Sequence, residues 1–181
     1  MIESKISKRY ARALMSIGRE DGKYEVYGEN LREFIVLCSK NKEFFGVISN
    51  RIFSLEDRIA IIDLILEKSK FEIVVNNFLR LLVSKERISA IIEISEYFSI
   101  LTDEVNNITR AILSSPRTLK IKTKERLLAA LEKFTGKIIT AVEKQNKALI
   151  GGVVVKIGDL VIDGSIKTQL TGLTELLKRG R

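Results

Sequence analysis

The stretch Leu149-Ile150-Gly151-Gly152-Val153-Val154-Val155-Lys156-Ile157-Gly158-Asp159-Leu160-Val161-Ile162-Asp163-Gly164 decides the fold. Two β-branched runs, at 153–157 and 160–162, flank Gly158-Asp159. Glycine takes positive φ without steric cost and aspartate tolerates it, so the stretch predicts a tight β-hairpin. Gly164-Ser165 closes the second strand. Ser165 is a natural N-cap for an amphipathic run through Ile166, Leu170, Leu173 and Leu177.

Upstream of the hairpin, residues 108–113 are short, partly alternating and strand-like, and Ser114-Ser115-Pro116 ends them. Thr123 reads as an N-cap with Glu125 in the first turn. Leu127, Leu128, Leu131 and Phe134 make the stripe of that helix, and Gly136 stops it. Residues 138–143 alternate again, as a strand does. The order β-α-β-β-β-α predicts a small α+β module and not a doubly wound sheet.

Almost everything before residue 106 has helical periodicity, in six pieces joined by short polar links. Ile2, Ile6, Tyr10, Ala13, Leu14 and Ile17 form the stripe of a first helix from about Ser4, with Gly22 as its stop. Tyr27, Leu31, Phe34, Ile35 and Cys38 line a second, and a short third piece covers 43–48. Ser54-x-x-Asp57 reads as a capping box opening the run Leu55, Ile59, Ile62, Leu66. A fifth helix at 72–84 carries two adjacent apolar lines, Val74-Phe78-Leu82 and Val75-Leu79-Val83. That arc is wider than one core contact needs. After the polar break Lys85-Glu86-Arg87, a sixth helix runs through Ile88, Ile91, Ile92, Ser95, Phe98 and Leu101. The expectation is a mainly α chain: a six-helix N-terminal bundle over 1–105 and an α+β module over 106–181, with the boundary at 103–107.

Charge follows the same division. Of the formal +8, residues 1–105 contribute −1 and residues 106–181 contribute +9. The second half therefore favours an acidic partner. Lys120, Lys122, Lys124 and Arg126 concentrate this character around a helix start. A nucleic-acid-binding module would use the same feature, but no aromatic residue interleaves these lysines as a single-strand platform requires.

Composition removes most catalytic classes. The 181 residues contain no histidine, which excludes Ser-His-Asp and Cys-His arrangements and histidine-based zinc sites. The one cysteine, Cys38, has no internal disulfide partner and sits as a small hydrophobe in a helical pattern. Gly151-Gly152 precedes a strand, and no G-x-x-x-x-G-K-[ST] occurs, so there is no phosphate loop. Glu56, Asp57, Asp63 and Glu67 read as an exposed helical face and not a metal site. No apolar run reaches membrane-spanning length and the first residues lack a signal-peptide core, so a cytoplasmic setting is expected. No catalytic residue, cofactor or metal is expected.

Three segments carry a family resemblance. They are Tyr10-Ala11-Arg12-Ala13-Leu14; Asn77-Phe78-Leu79-Arg80-Leu81-Leu82 with Lys85-Glu86-Arg87-Ile88; and Leu149-Ile150-Gly151-Gly152 with Ile157-Gly158-Asp159 and Val161-Ile162-Asp163-Gly164-Ser165. In order along the whole chain, they resemble the delta subunit of bacterial F-type ATP synthases, counterpart of the mitochondrial oligomycin-sensitivity-conferral protein. The chain departs from the family at Asn146-Lys147, where an Asp-Pro pair is common, and at Ile166-Lys167-Thr168-Gln169, where an arginine-bearing helix start is common.

The resemblance implies a non-catalytic stator connector of a proton-translocating rotary ATP synthase, peripheral to the cytoplasmic face of the cell membrane. The N-terminal domain would bind the N-terminal helix of an alpha subunit between its first and fifth helices. The residues implied there are Tyr10, Ala11, Ala13, Leu14 and Ile17, with Val75, Phe78, Leu79 and Leu82. The C-terminal module would engage the peripheral-stalk b subunits, with Lys120, Lys122, Lys124 and Lys167 as the candidate contacts. No direct nucleic-acid partner is implied.

Overall fold

The structure, a computed structural model, describes residues 5–171. Ile2, Ser4, Leu173 and Leu177 of the expected stripes lie outside the described residues. The chain is mainly helical with one small four-stranded sheet, and it divides at Asp103/Glu104 into two compact units.

The first unit contains α1 (Lys5–Glu20), α2 (Tyr24–Lys40), α3 (Lys42–Ser49), α4 (Leu55–Lys68), α5 (Ile73–Ser84), a 3-10 turn (Ile88–Ala90) and α6 (Ile91–Val105), the division falling within α6. The sixth expected helix thus begins as a tighter turn, because the chain leaves α5 through a left-handed residue. Glu86 takes φ 56°, the Arg87 N–H donates to Leu82 O at 2.7 Å, and the Glu86 N–H donates to Val83 O at 3.0 Å. These two bonds make a Schellman ending, which normally places glycine at the left-handed position. Here the Glu86 carboxylate lies 2.9 Å from Arg51 and 3.9 Å from the buried Arg58. Side-chain anchoring stands in for glycine's conformational freedom.

The start of α4 is as expected: the Asp57 N–H donates to Ser54 Oγ at 3.1 Å, and the Ser54 hydroxyl donates to the Asp57 carboxylate at 2.7 Å. At the other end of the unit, the Tyr27 hydroxyl donates to the Asp21 carboxylate, tying the turn after α1 to α2. One apolar core joins these helices, its centre made of Leu31, Phe34, Ile62, Leu79, Leu82 and Phe98. Cys38 is part of that core.

The second unit contains β1 (Ile108–Ser115), α7 (Ile121–Thr135), β2 (Ile138–Gln145), β3 (Val154–Ile157) and β4 (Leu160–Asp163), followed by helix at 166–171. Strand order is β2-β1-β3-β4. The β1–β2 pair is parallel with α7 as its crossover, and the other pairs are antiparallel. Leu127, Leu128 and Leu131 of α7 pack on Ala111, Leu113, Ile139, Val155 and Ile157, which share one face of the sheet by strand alternation.

Two expectations for α7 are corrected. The helix starts two residues before Thr123, because the Lys120 carbonyl accepts from both the Thr123 and Lys124 N–H groups. Its first turn then holds no acidic residue. Phe134 is exposed and outside the core. It lies at the edge of the Leu127-Leu128-Leu131 stripe, roughly 60° around the helix from Leu131, and is not part of the cluster that packs on the sheet.

The hairpin has a two-residue loop: Ile157 pairs with Leu160, and Gly158 takes φ +57°. At its open end the Ile166 N–H donates to Gly151 O at 3.1 Å and the Gly164 N–H to Val153 O at 3.0 Å. Gly152 has φ +85°, and a Cβ there would lie 2.3 Å from Gly164 O. Gly152 therefore lets two backbones touch where the strand begins, and a Cβ at Gly151 would meet the Ile166 side chain. Ser165 caps the following helix through the Thr168 N–H at 3.3 Å. Asp163 accepts from the Ser165 N–H and the Thr168 hydroxyl, both at 2.8 Å.

Candidate functional site

Helices α1 and α5 enclose an open apolar groove of about 600 Å³. Tyr10, Ala13, Leu14 and Ile17 line it from α1, and Val74, Phe78 and Leu81 from α5. Arg9 and Asn77 complete the lining and are its polar members. The spacing explains the walls. Residues 10, 13, 14 and 17 share a stripe of α1, and residues 74, 78 and 81 one of α5, following the i, i+4, i+7 rule. Tyr10 meets Phe78 edge-on, ring centroids 6.3 Å apart and planes at 68°, so the two helices join beneath the groove.

Of the nine residues expected here, the structure brings Tyr10, Ala13, Leu14, Ile17 and Phe78 together at the groove. Ala11, Val75, Leu79 and Leu82 are 0% exposed and belong to the core. They offer a ligand no surface, and the expectation is corrected on that point. Of the line Val74-Phe78-Leu82, the last member turns inward, and Leu81 takes its place at 43% exposure. Sequence reasoning missed Arg9, Asn77 and Leu81 as lining, and Val74, though on the wide apolar arc it had marked, was not among the nine. The signal for Leu81 was present: an apolar residue one position before a core leucine, seven after Val74.

Of the polar lining, Arg9 lies 5.8 Å from the Tyr10 ring centroid. Asn77 accepts from Arg80 at 3.0 Å, and Arg80 donates to Asp63 of α4 at 2.5 Å.

The lysines of the second unit divide. Lys120 and Lys122 are exposed at the start of α7. Lys124 is half-buried and pairs with Glu143 of β2 at 2.8 Å. Its ammonium holds the Glu143 carboxyl below the usual range. Lys167 is exposed on the helix at 166–171, in a separate element from the other three.

Among the described residues, no group of three or more His, Cys, Asp or Glu side chains is placed to hold a metal ion, and no helix is long and apolar enough to cross a membrane. Burial pushes the Cys38 thiol up to about 12, far from the thiolate form.

A sequence model of the ATP synthase delta (OSCP) subunit matches residues 6–177. ATP synthase subunit delta of Desulfatibacillum aliphaticivorans is 42% identical over 175 residues, covering 97% of this chain and 96% of that one. The same subunit of Desulfosudis oleivorans is 40% identical with the same coverage. That of Geobacter metallireducens is 33% identical over 99% of this chain and all of its own. A chain in the cryo-EM structure of the Toxoplasma gondii mitochondrial ATP synthase hexamer has the same fold, with a TM-score of 0.67 at 16% identity, over 96% of this chain and 98% of that one. With a match that runs from α1 past the hairpin, and relatives above 30% identity over nearly their full length, the chain belongs to the ATP synthase delta (OSCP) subunit family.

Proposed function

We propose that the chain is a non-catalytic stator connector of a proton-driven rotary ATP synthase, at the cytoplasmic face of the cell membrane. Its first unit, acting as a six-helix bundle, grips the N-terminal helix of an alpha subunit. Its second unit grips the ends of the peripheral-stalk b subunits. The head is thereby held while the central rotor turns, and no bond is made or broken by this chain.

The observation that carries the reading is the α1–α5 groove. Its walls are apolar, with Tyr10, Ala13, Leu14 and Ile17 on α1 and Val74, Phe78 and Leu81 on α5, and Ala11, Val75, Leu79 and Leu82 of the same helices are anchored in the core. A helix in a groove typically presents three or four anchors. Each contributes roughly 1.5 to 3 kcal/mol, against an association cost of about 4 to 15 kcal/mol. One groove alone therefore spans the range from marginal to good. Two sites in one chain add avidity of about 10²- to 10⁴-fold, which suits a part that must not release under torque.

The placement of the lysines supports the stalk assignment. Lys120 and Lys122 sit at a helix N-terminus, where the macrodipole disfavours cations. Lys124 is offset by Glu143, whereas Lys120, Lys122 and Lys167 are left to an acidic surface such as a stalk helix.

The test is binding of a synthetic alpha-subunit N-terminal peptide to the full chain and to Leu81→Asp. Leu81 lines the groove at 43% exposure, so the variant keeps its fold. An affinity loss of about tenfold or more is expected from burying a charge in place of an anchor. Equal affinity for both proteins removes the groove from the reading.

A further inference from the structure

The proposal that follows rests on the groove reading above and deepens it by naming the chemistry of the helix that fits. Two polar groups flank the apolar floor, one on each wall: Arg9 on α1 and Asn77 on α5. Both are donors. Arg9 is an exposed guanidinium with no ion-pair partner among the described residues, and it lies over the Tyr10 ring face. Lys5, one turn earlier on the same side of α1, is a second exposed cation.

Asn77 is oriented by its neighbours. Arg80 can only donate, so Asn77 turns its carbonyl oxygen to Arg80 Nη1 at 3.0 Å. Arg80 is itself held by Asp63 at 2.5 Å. The acceptor of Asn77 is thus consumed within the protein. Its amide nitrogen, with no partner among the described residues, is what faces a ligand. The relay Asp63–Arg80–Asn77 runs from α4 through α5 to the rim and sets that polarity.

An occupant that buries its apolar face here brings its flanking polar positions against donors on both sides. A lysine or arginine at those positions would meet Arg9 as a like charge, and a purely apolar flank would leave the donors without acceptors. We propose that the groove selects an amphipathic helix whose polar edges carry hydrogen-bond acceptors, with at least one carboxylate facing Arg9. The rim gives orientation and encounter rate, and the apolar floor gives most of the affinity. Exposed ion pairs contribute little individually and weaken with salt.

The experiment uses the full-length chain, the N-terminal peptide of the same organism's alpha subunit, and the same peptide with every Asp and Glu replaced by its amide. Affinity and association rate are measured at 50 and 300 mM salt for the parent chain, Arg9→Gln and Arg19→Glu. Arg19 lies on α1 outside the groove and serves as the control. The amide peptide is expected to bind the parent chain about 2- to 5-fold more weakly at 50 mM salt, mainly in association rate, with the gap closing at 300 mM. Arg9→Gln loses the same factor with the parent peptide, loses nothing further with the amide peptide, and melts as the parent does. Arg19→Glu leaves the preference for carboxylates intact. Arg9→Gln discriminating between the two peptides as the parent chain does, or no difference between the peptides on the parent chain, overturns the acceptor-edge proposal and leaves the groove reading standing. A parent chain that binds neither peptide overturns both.

Discussion

Tyr10 of α1 and Phe78 of α5 meet edge-on at 6.3 Å, and this contact is both the floor of the groove and the joint between its walls. The geometry is the favoured one for aromatic pairs, worth about 0.5 to 1.5 kcal/mol beyond area burial. Tyr10→Ala and Phe78→Ala are therefore expected to couple by about that amount in a double-mutant cycle read from urea denaturation. Phe78→Ala alone costs about 3 kcal/mol, since the ring is 8% exposed and its removal leaves a void under α1. Additive losses would mean that the rings merely share a surface.

Leu81 and Leu82 are neighbours in sequence with opposite duties. Leu82 is 0% exposed within the core, whereas Leu81 lines the groove at 43% exposure. Leu82→Ala is expected to cost about 2 to 5 kcal/mol in thermal or urea unfolding. Leu81→Ala is expected to stay within about 0.5 kcal/mol of the parent and to weaken peptide binding instead. A reversal of these effects would turn α5 by one residue relative to the arrangement described.

This pair also shows what sequence could reveal. The helical period of α5 and its unusually wide apolar arc were legible, because they depend on spacing alone. Which edge of the arc faces solvent was not. That depends on how α1 and α4 pack against α5, a relation between segments far apart in the chain. The hairpin was legible for the opposite reason, since Gly158 and the β-branched runs around it act locally. Gly152 lay between these cases. A glycine before a strand was visible, but its reason, a backbone approach from Gly164, is tertiary. The start of α7 was misplaced because the helix closes its first bonds on the Lys120 carbonyl with no side-chain cap, so no capping residue in the sequence marks it.

Glu86 holds a left-handed backbone with φ 56° while its carboxylate reaches Arg51 and the buried Arg58. A non-glycine residue in that region carries roughly 1 to 2 kcal/mol of strain. Glu86→Ala keeps the strain and leaves Arg58 without its carboxylate, so it should destabilise by about 1 to 3 kcal/mol. Glu86→Gly loses the same ion pairs but relieves the backbone, and should be about 1 kcal/mol less harmful than alanine. Chemical denaturation of the two variants side by side decides it. Alanine proving the milder change would show that the left-handed turn carries no strain.

Gly152 and Gly158 both have positive φ, at +85° and +57°, but only Gly152 is crowded. A Cβ at Gly152 would stand 2.3 Å from Gly164 O and 2.8 Å from Ser165 Cα, whereas at Gly158 it would enter open space. Gly158→Ala should therefore cost about 1 to 2 kcal/mol from backbone strain alone. Gly152→Ala should cost more, and should raise amide exchange in β3 and β4 by separating Gly151 from Ile166 and Val153 from Gly164. Equal protection of the hairpin amides in the two variants would count against the close approach.

Among the described residues, three carboxylates are held below their usual range by partners in the fold. The Ser165 backbone N–H, with the Ser165 and Thr168 hydroxyls, does so for Asp163; the Tyr27 hydroxyl for Asp21; and Lys124 for Glu143. A depressed folded-state value means that the unfolded chain binds protons first as pH falls. The stabilisation is therefore complete above the unfolded values, about 3.9 for Asp and 4.3 for Glu, and is lost as pH drops through the lower folded ones. The urea midpoint should thus be insensitive to these groups between pH 7 and about pH 5, and should fall below about pH 4. Asp163→Asn removes the charge that accepts from Ser165 and Thr168, so its midpoint should begin lower at neutral pH and decline less steeply in acid. An acid decline as steep as the parent's would take Asp163 out of the account and leave Asp21 and Glu143 to carry it.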